Sequence, residues 1–233
     1  MPNTTLFVMA PSHFCERARW GLDHKRIAYE ERVWPPGLHE VFARRVKAKD
    51  TSVPILVSGD QTVQGSGAIL TWAGLAGEDE DMERRFEDIG ALVRQYIYSG
   101  TLHDTDSGIR ELLLHGVPAA QAAVTRAGWP MIRRIMAKRM DTRQELRPQL
   151  ERRIDVELDW VGRLVREDGT LATRGFGRAA ITAASMLAPL AQPGAIPLYR
   201  RLRLPDDMTQ AYARWAAGSA LRWVNETYDK HRR

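Results

Sequence analysis

TLFVMAPSHFCERARWGL, residues 5–22, joins a short apolar run to a stretch with helical spacing. Thr5 to Ala10 reads as a buried strand. Beyond Pro11, Ala18, Leu22 and the rings of Phe14 and Trp20 recur at near-helical intervals, which predicts a helix over Phe14 to His24. Ser12 stands where that helix needs its N-cap, and the only cysteine of the chain, Cys15, follows three residues later. A serine at this place satisfies an orphan amide by accepting its hydrogen bond. The same hydroxyl, at the positive end of a helix, is also placed to serve an anion. On these residues alone, cap and reactive group both remain open.

The alternation continues outward. Tyr29 to Val33 reads as a second strand, ended by Pro35-Pro36-Gly37. A polar helix over Leu38 to Ala48 follows, then a third strand at Val53 to Val57. Ser58-Gly59-Asp60 is a turn signal into a fourth strand around Thr62-Val63. Ser66 to Leu75, SGAILTWAGL, reads as a helix opened by serine. The order is β-α-β-α-β-β-α. Gly77 to Asp81 is then an acidic linker, and no convincing strand follows it. Phe86, Ile89, Val93 and Ile97 mark one later helix, followed by Met131, Ile135 and Met136. Leu146, Leu150, Ile154, Leu158, Val161 and Leu164 mark the clearest one, with Pro148 in its first turn. Trp215, Leu221, Trp223 and Tyr228 indicate further packed helices. The reading is an α/β domain over residues 1–77 and an all-α domain over residues 82–233.

Composition narrows the classes of function. The 233 residues are 44% hydrophobic and 27% charged, as in ordinary globular proteins. No apolar stretch approaches the roughly 20 residues that span a bilayer, and the N-terminus lacks a signal-peptide pattern. One cysteine forms no internal disulfide, so the expected compartment is the cytoplasm. The net charge of +5 is modest. The arginine-rich stretch from Arg133 to Arg153 also carries Asp141, Glu145 and Glu151, a mixed-sign pattern that argues against nucleic acid. A mild positive field suits an anionic small molecule equally well. The six histidines show no compact ligand spacing, so no metal is expected, and no Gly-rich phosphate loop is present.

Three local matches give the whole chain a resemblance to the cytosolic glutathione transferases of bacterial type with serine at the active position. Ser12-His13-Phe14-Cys15-Glu16-Arg17-Ala18-Arg19 resembles the family's first helix, with its leading Ser or Cys and an Arg-x-Arg behind. Val53-Pro54 before a strand is similar to the family's cis-proline turn. Ser66 in GSGAIL resembles its E-S-x-A-I turn into the third helix. The resemblance implies a thioredoxin-like N-terminal domain, an all-helical second domain, and glutathione as co-substrate. It implies Ser12 as the catalytic residue and Phe14, Val53, Pro54, Gln64, Gly65 and Ser66 as the glutathione site.

The chemistry has a definite size. A thiol that ionises near pH 8.5 needs about 2.7 kcal/mol to be lowered by two units. A hydroxyl donating to the thiolate supplies roughly 1.5–3 kcal/mol, and a helix N-terminus about 0.3–2 kcal/mol more. Cys15 occupies the second cysteine position of a thioredoxin-type C-x-x-C, but with serine first there is no dithiol. It reads as a small packing residue, with direct reactivity as the alternative. A cis Pro54 would turn the Val53 backbone outward to pair with a peptide ligand; a trans proline opening an edge strand is the plain alternative. Ser66 would hold the γ-glutamyl carboxylate through its hydroxyl and the helix N–H groups.

Two features depart from the family. Gly65 stands where an acid is expected to meet the ligand's ammonium, a loss of about 1.5–3 kcal/mol, with Gln64 as the substitute. Thr182-Ala183-Ala184-Ser185 replaces the Ser/Thr-x-x-Asp capping box of a later helix. Tyr96, Tyr98, His103 and Met131 are candidates for lining a second-substrate pocket between the domains.

The expected function is conjugation of glutathione to small hydrophobic electrophiles, in a detoxifying cytoplasmic homodimer without nucleic-acid or membrane partners. Glutathione-dependent isomerisation or ether cleavage fits the same residues. The alternative from another class is a non-catalytic binding protein of this fold with weak or altered glutathione recognition, motivated by Gly65.

Overall fold

The computed structural model describes residues 4–77, 79–171 and 175–232. The chain forms two compact units, and they do not follow a single cut in the sequence. One unit contains Met1–Ala76 and Arg110–Arg134; the other contains Gly77–Ile109 and Ile135–Arg233.

The first unit is a four-stranded mixed sheet with helices on both faces. Its elements are β1 (Thr4–Val8), α1 (His13–His24), β2 (Glu30–Val33), α2 (Leu38–Arg45), β3 (Ile55–Ser58), β4 (Gln61–Gln64) and α3 (Ser66–Trp72). The strand order is β2-β1-β3-β4. β1 runs parallel to β2 and antiparallel to β3, with Leu6 opposite Leu56 and Phe7 opposite Ile55. β3 pairs antiparallel with β4, through the turn at Gly59.

Period-two alternation in β1 sorts the core. Leu6, Val8 and Leu56 pack with Cys15, Ala18 and Leu22 of α1 and Ile69 of α3. Phe7 and Ile55 face the other way, towards Trp34 and Ala43 of α2. Phe7 and Trp34 stack with ring centroids 4.2 Å apart. Gly21 permits the approach of α1 to α3, since a Cβ there would lie 2.6 Å from Leu70 Cδ1.

The later part of this unit contains α6 (Ala119–Ala127) and most of α5 (Ile109–Leu113). It packs against the end of β2, where a Cβ on Gly116 would meet Val33 at 3.3 Å. α7 (Trp129–Arg139) carries the chain into the second unit. The expected helix around Met131, Ile135 and Met136 forms, but it buries no residue, and Met131 is 69% exposed.

The second unit is helical, with α4 (Glu80–Thr101), α8 (Arg147–Leu164), α9 (Arg178–Ala191), α10 (Asp206–Ala216) and α11 (Ser219–His231). Asp79 caps α4 by accepting from Met82 N at 2.9 Å, so the acidic linker doubles as a helix start. Glu78 of that linker lies outside the described residues. Pro148 falls in the first turn of α8 as expected, and Leu150, Ile154, Leu158 and Val161 are its buried stripe. α9 is buried along its whole length from Ala180 to Leu190, which marks it as the central helix.

The start of α9 corrects the expected capping box. Thr182 lies in the second turn, donating through Oγ1 to Arg178 O at 2.8 Å, and Gly177 occupies the N-cap. The additional turn is held by Arg178, whose guanidinium forks onto Glu83 with two contacts of 2.8 Å. Both groups are largely shielded from water.

Tyr96 and His103 are engaged inside this unit. Tyr96 is buried and donates to Glu151 Oε1 at 2.9 Å. A ring nitrogen of His103 lies 2.8 Å from Thr142 O. Tyr98 is half-buried. No described helix is long and apolar enough to cross a membrane.

Candidate functional site

Ser12 terminates the loop after β1, its N–H donating to Met9 O at 3.1 Å. Its backbone is extended and it caps α1, Oγ accepting from Cys15 N at 3.3 Å. The capping reading is therefore realised. Capping uses only an oxygen lone pair, while a hydroxyl carries two lone pairs and one hydrogen. The two roles are compatible: the proton of Ser12 is not consumed by the cap.

Cys15 is sealed, with no exposed surface. Burial pushes its thiol above the ordinary value, opposed by the Arg19 guanidinium and the Ser12 hydroxyl. At neutral pH it is a neutral packing residue. Arg19 is fixed by a fork on Glu31, at 2.6 and 3.2 Å, which ties α1 to β2. Phe14 is half-buried beside the His13 ring, with centroids 4.6 Å apart.

The Val53-Pro54 peptide bond is cis. Among the described residues, no hydrogen bond involves the backbone of Val53. Pro54 is buried, and its carbonyl accepts from Gly65 N at 3.0 Å, which sets the cis turn against the start of α3. Val53, Pro54, Gly65 and Ser66 are thus brought together.

Gln64 joins them by a different route from the one expected. Its Nε2 donates to Asp50 O at 2.9 Å, to Ser52 O at 2.8 Å and to Asp50 Oδ1 at 2.8 Å. Its Oε1 accepts from Asp50 N at 3.0 Å. The amide is committed to the Asp50–Ser52 loop, so it braces the approach to Pro54.

Gly65 is more than a missing acid. Its φ of +90° lies in the region that favours glycine, and a Cβ there would meet nothing within 4 Å. Space is available, but the backbone conformation resists a side chain. Ser66, the first residue of α3, is buried, and its Oγ accepts from Arg17 Nη1 at 3.4 Å.

Arg17 has no exposed surface and links α1 to α3. In the sequence Arg17 stands out only as the first arginine of the Arg-x-Arg pattern. The signal was its helical position: His13, Arg17 and Trp20 follow one another at spacings of four and three, and all three are buried.

Residues 6–77 match the family model of the glutathione S-transferase N-terminal domain. The chain is similar in structure to a glutathione S-transferase of Ceriporiopsis subvermispora solved with glutathione. That likeness has 13% identity, 98% and 97% coverage of the two chains and a TM-score of 0.64. A glutathione transferase of Phanerochaete chrysosporium matches at 12% identity, 99% and 98% coverage and a TM-score of 0.62. Glutaredoxin 2 of Salmonella typhimurium, solved with glutathione, matches at 15% identity, 94% coverage of each chain and a TM-score of 0.55. No curated protein matches the chain in sequence. The fold is a thioredoxin-like α/β domain with a helical C-terminal region, as in glutathione transferases.

Proposed function

We propose that the protein is a glutathione transferase that adds the glutathione thiolate to small hydrophobic electrophiles. The observation that carries this reading is the Ser12 cap, which accepts from Cys15 N at 3.3 Å and leaves the hydroxyl hydrogen free of the capping role. Donation to a bound thiolate and the adjacent helix N-terminus lower the thiol's ionisation together. A neutral, sealed Cys15 is a weak competitor for that hydrogen. Electron density then passes from sulfur to the electrophilic carbon, a C–S bond forms, and the leaving group departs with its electron pair. The proton of the thiol has already gone to solvent.

The Val53 backbone supports binding of the cysteinyl part of the peptide by antiparallel pairing. Ser66 is the proposed ligand of the γ-glutamyl carboxylate, Phe14 packs beside the bound peptide, and Gln64 acts by holding the cis turn. Glutathione in complexes of proteins with this fold accords with the same assignment. A symmetric homodimer in the cytoplasm is part of the proposal, and a sedimentation profile showing only a 26.4 kDa species would remove the dimer.

Calorimetric titration with glutathione tests the reading, followed by a conjugation assay with chlorodinitrobenzene. Saturable binding and conjugation are expected. Absence of binding at millimolar glutathione overturns it. Gly65 favours a second reading, a non-catalytic binding protein of this fold, because no acid there meets the ammonium. Weak or undetectable glutathione binding without turnover of any electrophile class would select that reading.

A further inference from the structure

We infer that Arg17 is a positioning residue, which orients the Ser66 hydroxyl to donate to the ligand's carboxylate. The inference rests on the glutathione reading above and assigns a role to a side chain that never reaches the surface.

Arg17 and Ser66 are 49 positions apart and belong to different helices, yet Nη1 of the first lies 3.4 Å from Oγ of the second. Arginine keeps its charge in every protein environment and has donors only. Ser66 must therefore be the acceptor in this contact. With one lone pair turned towards Arg17, the single hydroxyl hydrogen of Ser66 is left for another acceptor. A hydroxyl polarised in this way is a better donor to an anion than one free to rotate.

The turn itself adds no competing charge. The residue there that an acid would occupy is Gly65, and its φ of +90° disfavours a side chain. A carboxylate approaching Ser66 therefore meets no acid at that position.

A merely structural role, clamping α1 to α3, would use the same contact. The two are separated by ligands. Full-length wild type, Arg17→Gln, Arg17→Lys, Ser66→Ala and the Arg17→Gln/Ser66→Ala double variant are titrated with glutathione. The same proteins are titrated with γ-aminobutyryl-cysteinyl-glycine, which lacks only the γ-glutamyl α-carboxylate.

Arg17→Gln should weaken glutathione about ten-fold, the value of one charge-assisted hydrogen bond. It should leave the decarboxylated analogue essentially unchanged. Arg17→Lys should recover much of the loss, and the double variant should be no weaker than Ser66→Ala alone. Equal losses for both ligands, additive losses in the double variant, or no loss in Arg17→Gln would overturn the inference. If Arg17→Gln fails to fold, the contrast between ligands in Ser66→Ala and Arg17→Lys decides. Ser66→Ala weakening both ligands alike would then overturn it. Wild type that binds neither ligand defeats the glutathione reading itself, and the role of Arg17 falls with it. Wild type that binds glutathione while the variants show no ligand contrast defeats the role of Arg17 alone.

Discussion

The side-chain amide of Gln64 pairs with the backbone of Asp50 as a strand would, accepting from its N–H at 3.0 Å and donating to its carbonyl at 2.9 Å. A side chain at the end of β4 thereby extends the ladder sideways to a loop that has no strand partner. The Asp50 carboxylate in turn accepts from the Ser52 N–H at 2.6 Å and from the Ser52 hydroxyl. These contacts tie the loop before Pro54 to the end of β4.

Gln64→Ala should accordingly lower stability by about 1–2 kcal/mol, the net value of one or two partly exposed hydrogen bonds. It should also weaken glutathione without altering the ionisation of the bound thiol, because Ser12 is untouched. Urea melts and calorimetry check both halves. An unchanged affinity would mean that the loop keeps its shape without the amide.

Ser12→Ala removes a cap and a thiolate donor together. The lost cap should cost about 0.5–2 kcal/mol of stability. The bound thiol should ionise about one to two units higher, at ~1.36 kcal/mol per unit. Conjugation should then fall at neutral pH and recover in alkali. Thiolate absorbance of bound glutathione, titrated in both proteins, reads the shift directly. A stability loss with no shift would leave Ser12 as a cap only.

Cys15 predicts a pH dependence of its own. Burial holds its folded value above the ordinary one near 9, so the folded protein keeps a proton that the unfolded chain releases. More protons bound in the folded state means that stability falls as pH rises. The loss should begin near pH 9 and continue through the folded value; below that range the group contributes no slope. Cys15→Ala should flatten the alkaline limb of stability against pH and preserve conjugation. The intact protein should resist alkylating agents until it unfolds. A folded but inactive Cys15→Ala would make the cysteine the reactive group.

Gly65→Glu tests the departure from the family, and its backbone changes the expected outcome. An acid alone would be expected to strengthen binding through the ammonium. With φ at +90°, any side chain strains the turn, at about 1–3 kcal/mol. Gly65→Ala carries the strain without the charge. Both variants should melt lower than wild type, and Gly65→Glu should bind glutathione more tightly than Gly65→Ala. Equal affinities would show that the ammonium does not approach this turn.

The element order of the first unit was readable because β1 and β3 are short, mostly apolar runs and the turn signals at Pro35-Pro36-Gly37 and Ser58-Gly59-Asp60 mark off β2 and β4. Every one of the seven expected elements forms, with ends displaced by a few residues. The boundary positions of Ser12, Pro54 and Ser66 were legible in the same way, while the roles proposed for them and for Val53 came from the family resemblance. The contacts around them were not legible. Arg17 meets Ser66 and Gln64 meets Asp50 only after the chain has folded, and no spacing in the sequence records either meeting. The extra turn before Thr182 depends on Glu83, 95 positions away. Helix α5 escaped notice because it is only five residues long, although Ile109, Leu112 and Leu113 are buried, and α6 because it buries only Ala122 and Thr125. α7 illustrates the opposite failure: Met131 and Ile135 have core-like spacing, yet both are exposed.

The sheet ends at β2 on one side, and that strand presents Glu30, Glu31 and Arg32 in succession. Arg32 is held to Glu30 at 2.8 Å, and Glu31 to Arg19. An outer strand with unpaired amides and carbonyls is a template on which further chains can polymerise. Here any incoming strand must bring its own backbone against a row of solvated, already satisfied charges. That makes this margin of the sheet a poor template for fibril growth.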